Sequence, residues 1–296
     1  MRIHELKYCS TNTYLIEGDT GKLLFDTGWA GTFPAFCHAM GEIKTSVQDI
    51  DAILISHFHP DHMGIAQQIA DQGAVLLAAD VQRDYIHASD AVFAKEKNAA
   101  FRAVEDEKVR FFSPEESRAV LKEFGIDGQI IPTPGHSDDS ISLLLDDGSL
   151  FVGDLNPLYE LEVHRRTQIG DSWDKLLALK PKVVYYGHAK KALLSQTGRE
   201  SGQETGQESG REIGLKTDRE TEEKNGQETQ PDTRDIDCYA LVSEIMRLID
   251  KRCDVKKIQK KTGADSTFIQ DVMRMYLTHR NVGVQGILDR IEIKNR

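Results

Sequence analysis

His57-Phe58-His59-Pro60-Asp61-His62 places three imidazoles and a carboxylate within six positions. The stretch directly follows an apolar run, Ala52-Ile53-Leu54-Ile55, that reads as a buried strand. A strand that delivers its last residues into a His/Asp cluster is a way to build a metal site on a rigid element. His57 and His59 lie two apart, so an extended or tightly turned backbone projects both toward one side. Pro60 suits the first turn of a helix, where its missing N–H costs nothing. Asp61 and His62 then open that helix.

Working outward, residues 3–8, 13–17 and 22–26 read as short strands, the last two joined by the turn residues Gly18-Asp19-Thr20-Gly21. A helix is expected over 34–41, a strand over 50–55, a helix through 65–70 and a strand over 74–78. Residues 80–108 turn polar and helical, with Tyr85, Phe93 and Phe101 as scattered aromatics. They fit either a lid or a connecting helical pair. Strands are expected again at 129–133, 140–145 and 149–152, a helix at 172–179 and a strand at 182–186. Two groups of strands with helices between them point to sheets packed face to face with helices outside.

Residues 196–235 break this pattern. Gly recurs at 198, 202, 206, 210 and 214, and apolar residues are nearly absent. Such a segment cannot bury enough surface to offset its ordering entropy, so it reads as a disordered Gly/Glu-rich linker between a 1–195 domain and a small all-α domain over 236–296. In that last part helices are expected at 239–251, 255–261, 267–278 and 286–293. The middle two frame a turn, Thr262-Gly263-Ala264-Asp265, in a helix-turn-helix-like arrangement. Lys256, Lys257, Lys260 and Lys261 supply a basic patch that Arg274 extends.

The formal charge of −11 is unevenly spread. Residues 1–195 carry 19 basic and 29 acidic side chains, 196–235 carry 6 and 11, and 236–296 carry 12 and 8. An acidic body disfavours non-specific nucleic-acid binding, while the basic tail keeps that partner open. The four cysteines form no C-x-x-C pair and read as reduced thiols. With no apolar signal core in Met1-Arg2-Ile3-His4-Glu5 and no membrane-spanning run, a cytoplasmic protein without membrane contact is expected.

Three further residues complete the opening cluster: His136 after Pro134-Gly135, Asp154 after Gly153, and His188 after Gly187. Each ends or follows an expected strand. Five His and two Asp are too many for one first-row metal, which takes three or four protein ligands, and suit two ions sharing a carboxylate. The pattern His57-x-His59-x-Asp61-His62, with His136, Asp154 and His188 in order downstream, resembles the metallo-β-lactamase superfamily over roughly residues 1–195. The resemblance implies an α/β (α+β) fold, a four-layer αββα sandwich with the site at one edge of the two sheets. It also implies that His57, His59 and His136 hold one metal and Asp61, His62 and His188 the other, with Asp154 bridging. Asp26 matches the family's aspartate behind the ligands, which orients an imidazole.

Two divalent cations sharing a water bring its pKa from 15.7 toward about 7. They also polarise a carbonyl or phosphoryl oxygen, and Asp61 beside them is placed to accept a proton or orient the hydroxide. An all-N/O donor set suits Zn first, then Mn or Fe. Keeping Asp154, where lactamase-type members often carry Cys or Ser, resembles the thioesterase (glyoxalase II-like), lactonase, phosphodiesterase and RNA-processing branches. The chain lacks the large insert of the nucleic-acid-cleaving subgroup. A small-molecule thioester or other carboxylic ester therefore leads as substrate, with a phosphodiester next. The alternative from another class is a regulator whose metal domain senses a small molecule while the C-terminal helices bind nucleic acid. Tyr159, His164, Arg165 and Arg166, just after Asp154, are the candidate substrate contacts, since guanidinium groups bind carboxylates and phosphates well.

Overall fold

The computed structural model describes residues 1–194, 215–216, 233–251, 253–278, 284 and 287–288. One sheet holds, in spatial order, β1 (Arg2–Leu6), β2 (Thr13–Glu17), β3 (Lys22–Phe25), β4 (Ala52–Leu54), β5 (Val75–Ala79) and β6 (Val109–Phe112). The other holds β7 (Gly128–Pro132), β8 (Ile141–Leu145), β9 (Ser149–Phe151), β10 (Val183–Tyr185), β11 (Ala192–Leu194) and β12 (Leu215–Lys216). The helices of this part are α1 (Phe33–Glu42), α2 (Pro60–Met63), α3 (Ala66–Ala70), α4 (Asp90–Glu96), α5 (Ser117–Glu123), α6 (Leu161–His164) and α7 (Gln168–Ala178).

Side chains alternate across a strand, and here that alternation sorts the apolar residues into three layers of core. Leu23, Phe25, Ala52, Leu54, Leu77 and Ala79 of the first sheet meet Ile130, Ile141, Leu143, Leu145 and Phe151 of the second between the sheets. The intervening Leu24, Ile53, Leu76 and Ala78 face the other way, against Phe36 and Met40 of α1, Ile69 of α3 and Phe93 of α4. Leu144, Leu150 and Val184 pack outward onto Trp173 and Leu176 of α7. The result is a mixed α/β sandwich of four layers, as expected. Fully burying each large side chain contributes about 1.5–3 kcal/mol, so all three interfaces carry weight.

Strand direction then gathers the chemistry. β3, β4 and β5 run parallel, so Asp26 after β3 and the His/Asp stretch after β4 emerge at one end of their sheet. β7 and β9 are both antiparallel to β8, and β10 is parallel to β9. The loops carrying His136, Asp154 and His188 therefore leave the second sheet at one common end.

Several boundaries differ from the sequence reading. β1 stops at Leu6 instead of continuing to 8, because residues 9–12 turn away to support the loops beyond β4 and β10. β6, α5, α6 and β11 were not anticipated; β6 is a short, half-buried strand at a sheet edge, with little alternation to read. α7 begins at Gln168 rather than 172. The 80–108 segment is packed rather than loose. Phe93 stacks on Phe101 at 4.0 Å and meets Trp29 edge-on. Gln67 Oε1 accepts the Glu105 N–H at 2.8 Å, and Asp71 pairs with Arg102 and Lys108.

The chain divides into two compact units, Met1–Asp218 and Arg219–Arg296. The second contains α8 (Thr233–Asp250), α9 (Val255–Thr262) and α10 (Ser266–Thr278) around Val242, Ile245, Leu248, Ile258, Ile269 and Val272. Asp254 caps α9 by accepting the Lys257 N–H at 2.8 Å. Of the expected linker 196–235, only Leu215–Lys216, paired with β11, and the first turn of α8 fall among the described residues. The expected helix over 286–293 lies outside them except at 287–288. Among the described residues no helix is long and apolar enough to cross a membrane.

Candidate metal centre

All seven candidate ligands converge where the two sheets end side by side. His57 Nε2 lies 2.9 Å from His59 Nδ1, and His136 Nε2 lies 3.1 Å from the same atom. A second group forms beside it: His188 Nε2 is 3.0 Å from Asp61 Oδ2, and His62 Nε2 is 3.9 Å from that oxygen. Asp154 stands between the groups. Its Oδ2 is 3.6 Å from His136 Nε2, while its Oδ1 is 3.3 Å from His62 Nε2 and 3.4 Å from His188 Nε2. Within each of three sets, His57/His59/His136, His57/His62/Asp154 and Asp61/His62/His188, the donor atoms lie within 4.8 Å of one another. His57 and His62 are fully buried, and the cluster reaches solvent at His59, His136 and His188.

The backs of the imidazoles are held by acceptors. Asp26 Oδ2 faces His62 Nδ1 at 2.9 Å, and the carboxylate also accepts the N–H and the hydroxyl of Ser56. Having given its proton to Asp26, Ser56 Oγ accepts from His57 Nδ1 at 3.1 Å. His188 Nδ1 donates to the Ser10 carbonyl at 2.9 Å. In all three rings the proton is drawn to Nδ1, which aims Nε2 into the cluster. Asp26 stands behind the His62 imidazole, and it holds a left-handed backbone (φ +60°) to get there. Thr11 Oγ1 donates to the Asp61 carbonyl, and the Asn12 amide nitrogen donates to the Tyr186 and Ala189 carbonyls on either side of His188. Two glycines admit this closeness. A Cβ on Gly187 would stand 2.7 Å from Asp154 Oδ1, and one on Gly153, itself at φ +55°, would stand 2.3 Å from Ser56 Oγ.

Protonation differs between the halves. Burial pushes the His57 and His59 imidazoles below the usual histidine range, so they are neutral, the form a metal ligand needs. Burial acts the same way on His62 and His188, but Asp154 and the other facing carboxylates outweigh it and hold both above that range. Burial likewise opposes the charge on Asp61, yet His62 and His188 keep its carboxyl well below the ordinary carboxylate range.

These residues suit cations. Asp61 Oδ1 is buried with no hydrogen-bond partner among the described residues. Leaving a buried polar atom unsatisfied costs about 1–3 kcal/mol, a cost that a bound cation removes. Imidazole nitrogens and carboxylate oxygens without thiolate form a borderline-to-hard donor set that fits divalent Zn, Mn or Fe.

The candidate substrate contacts lie on the segment after Asp154. Tyr159 is 66% exposed, and Arg166 is exposed. His164 Nε2 lies 3.9 Å from Glu160, and Arg165 donates to Glu162 at 3.2 Å, so both are engaged within their own segment. Sequence reasoning missed Ser10, Thr11, Asn12, Ser56, Gln82, Ser89 and Asp139. Ser56 was the most visible, standing directly before His57. Ser10 acts through a carbonyl and leaves no side-chain signal.

Comparison with known proteins identifies the family and the fold. The family model of the metallo-beta-lactamase superfamily matches residues 6–188. The chain is 27% identical over 190 residues to a beta-lactamase-like protein 2 homolog of Drosophila melanogaster, covering 60% of this chain and 58% of that protein. It is 30% identical over 146 residues to a probable metallo-hydrolase of Methanocaldococcus jannaschii, covering 49% of this chain and 66% of the other. The chain thus spans less than two thirds of either relative. In fold it is similar to a metallo-beta-lactamase family protein from Thermus thermophilus, with a TM-score of 0.52 at 21% identity over 64% of this chain and 74% of that one.

Proposed function

The chain belongs to the metallo-beta-lactamase superfamily, and from that premise we propose that it is a hydrolase of thioesters or other carboxylic esters with a two-metal centre. His57, His59 and His136 would hold one divalent ion, Asp61, His62 and His188 the other, and Asp154 both. The observation that carries this is Asp154, whose two oxygens face different imidazole groups, Oδ2 toward His136 and Oδ1 toward His62 and His188. Bound there, divalent ions would supply activated water at neutral pH and would polarise the scissile carbonyl.

The protein's own groups do the rest. Asp61 Oδ2 stands 3.0 Å from His188 Nε2 as a fellow ligand of the second ion, and the carboxylate beside the ions would orient the attacking water and accept its proton. Asp26, Ser56 and the Ser10 carbonyl fix the rings from behind, so the site needs little reorganisation when substrate arrives. The solvent-facing side at His59, His136 and His188 would be the route of approach, and Tyr159, His164, Arg165 and Arg166, which follow Asp154 in the chain, are the side chains we assign to an anionic or aromatic substrate portion.

Metal analysis of purified protein reconstituted with Zn or Mn should give close to two ions per chain, and Asp154→Ala should lower that number to one or fewer. Protein that stays metal-free after reconstitution would end this reading. Turnover against thioesters, lactones, phosphodiesters and β-lactams then ranks the substrate classes. Thioester turnover is expected on top, and phosphodiester turnover on top would displace the ester assignment.

A second reading rests on α9, where Lys256, Lys257, Lys260 and Lys261 are all exposed. Spaced i, i+4, they form a two-wide basic strip suited to phosphates. The full chain should then bind duplex nucleic acid with steep salt dependence, weakened by Lys260→Glu with Lys261→Glu. Equal binding by wild type and variant would remove this role.

A further inference from the structure

The three-imidazole group draws its ligands from two different sheets: His57 and His59 follow β4, and His136 lies between β7 and β8. Something must set the distance between those loops. Gripped from two sides is the backbone of Phe58, which stands between the two histidines. Its N–H donates to Asp139 Oδ2 at 2.7 Å, and its carbonyl accepts the Ser89 hydroxyl. Asp139 sits three residues after His136 and is 2% exposed. Its own carbonyl is 3.2 Å from the Gln82 side-chain amide, which also donates to the Ile55 carbonyl at 2.9 Å. Gln82 is fully buried. The Ile141 N–H, at the far end of the His136 loop, donates to the Ser56 carbonyl.

Building on the two-metal reading, we propose that Asp139 is a positioning residue that registers the His136 loop of one sheet against the His57–His59 turn of the other. Its buried carboxylate ties the turn at its midpoint, and Ser89 completes the grip from the 80–108 segment. Metal ligands must be held to about 0.5 Å, and the peptide between two ligands is the point where one contact fixes both. Asp61, His62 and His188 have further supports of their own in Thr11, Asp26 and the Ser10 carbonyl. Asp139 should therefore matter to one metal and not to the other.

The test measures stepwise Zn binding to metal-free full chain by chelator competition, with thermal melts of each metal-free variant. Asp139→Ala leaves the Phe58 N–H unpaired and should weaken one of the two binding steps 10- to 100-fold, leaving the other within about threefold. Asp139→Asn keeps an oxygen acceptor and should stay within about threefold of wild type at both. Loss of both steps together, wild-type affinity in Asp139→Ala, or a loss in Asp139→Asn as large as in Asp139→Ala would each overturn the proposal. If Asp139→Ala does not fold, Ser89→Ala carries the test: weaker binding at the same single step supports the proposal, and wild-type affinity refutes it. Failure of the wild type to bind two ions is a separate result, which removes the two-metal reading itself.

Discussion

The centre is built by short contacts behind the rings as much as by the rings themselves. Asp26 shows what that requires of one residue: a left-handed backbone, full burial, and a carboxylate shared between the Ser56 hydroxyl and the His62 imidazole. Asparagine tolerates that backbone almost as well as aspartate, so Asp26→Asn tests the charge and not the turn. Metal affinity should fall by about 10- to 100-fold with little change in melting temperature, read by chelator competition and a thermal melt. Gly187 makes the complementary case. A Cβ there would stand 2.7 Å from Asp154 Oδ1 and 2.9 Å from His62 Cε1, and both of those side chains are already fixed by neighbours. Gly187→Ala should therefore reduce metal stoichiometry, while far-ultraviolet circular dichroism stays that of the wild type. A variant that keeps two ions would show that this corner has room to move.

At the scale of elements, the 80–108 segment decides how rigid the floor of the site is. Its polar composition left a lid and a connecting pair equally open, because periodicity does not report what Phe93 packs against. The structure supplies that answer through Trp29, Phe101 and Val104, and through buried Ser89 and Gln82, whose side chains reach the β4 loop. Phe93→Ala should cost about 3–5 kcal/mol, seen as a lower denaturant midpoint. The outer rim is weaker and titrates. His87 bridges Asp90 of α4 and Asp106 at 3.0 and 2.9 Å, and bonding to Asp106 first, then Asp90, lifts its imidazole above the ordinary value. A raised folded-state value means the stabilisation is full below the unfolded value of about 6.5 and fades as pH rises through the folded one. With 46% of the side chain exposed, solvent screening limits the effect to about 0.5 kcal/mol. His87→Gln should be less stable than wild type near pH 5.5 and equal to it near pH 8.5. An unchanged difference across that range would mean the pair contributes nothing through its charge.

For the molecule as a whole, what the sequence made legible follows from which atoms do the work. The candidate ligands are side chains at strand ends, so their types and order stand in the sequence itself, as does the alternation that builds the sheets. The supporting shell acts largely through backbone, the Ser10 carbonyl and the Phe58 peptide, and through Asp139 and Gln82, which look like turn and surface residues until the two sheets meet. β6 was invisible because an edge strand has one neighbour and little alternation, and β11 because three residues are too few to show a period. The tail was legible as helices since its apolar positions recur at helical spacing, and Val242, Ile245, Ile258, Ile269 and Val272 form a cluster of their own. That separation has a consequence for stability and metal uptake. Every candidate ligand lies between 57 and 188, and the groups supporting them lie between 10 and 189, all within Met1–Asp218. Ile245→Ala in the full chain should cost the helical unit about 2–5 kcal/mol. Hydrogen exchange should then quicken across 241–249 and 269–275 and stay unchanged across 52–57, with metal content at the wild-type level. Loss of metal in that variant would mean the helical unit contributes to a centre whose ligands and supports all lie outside it.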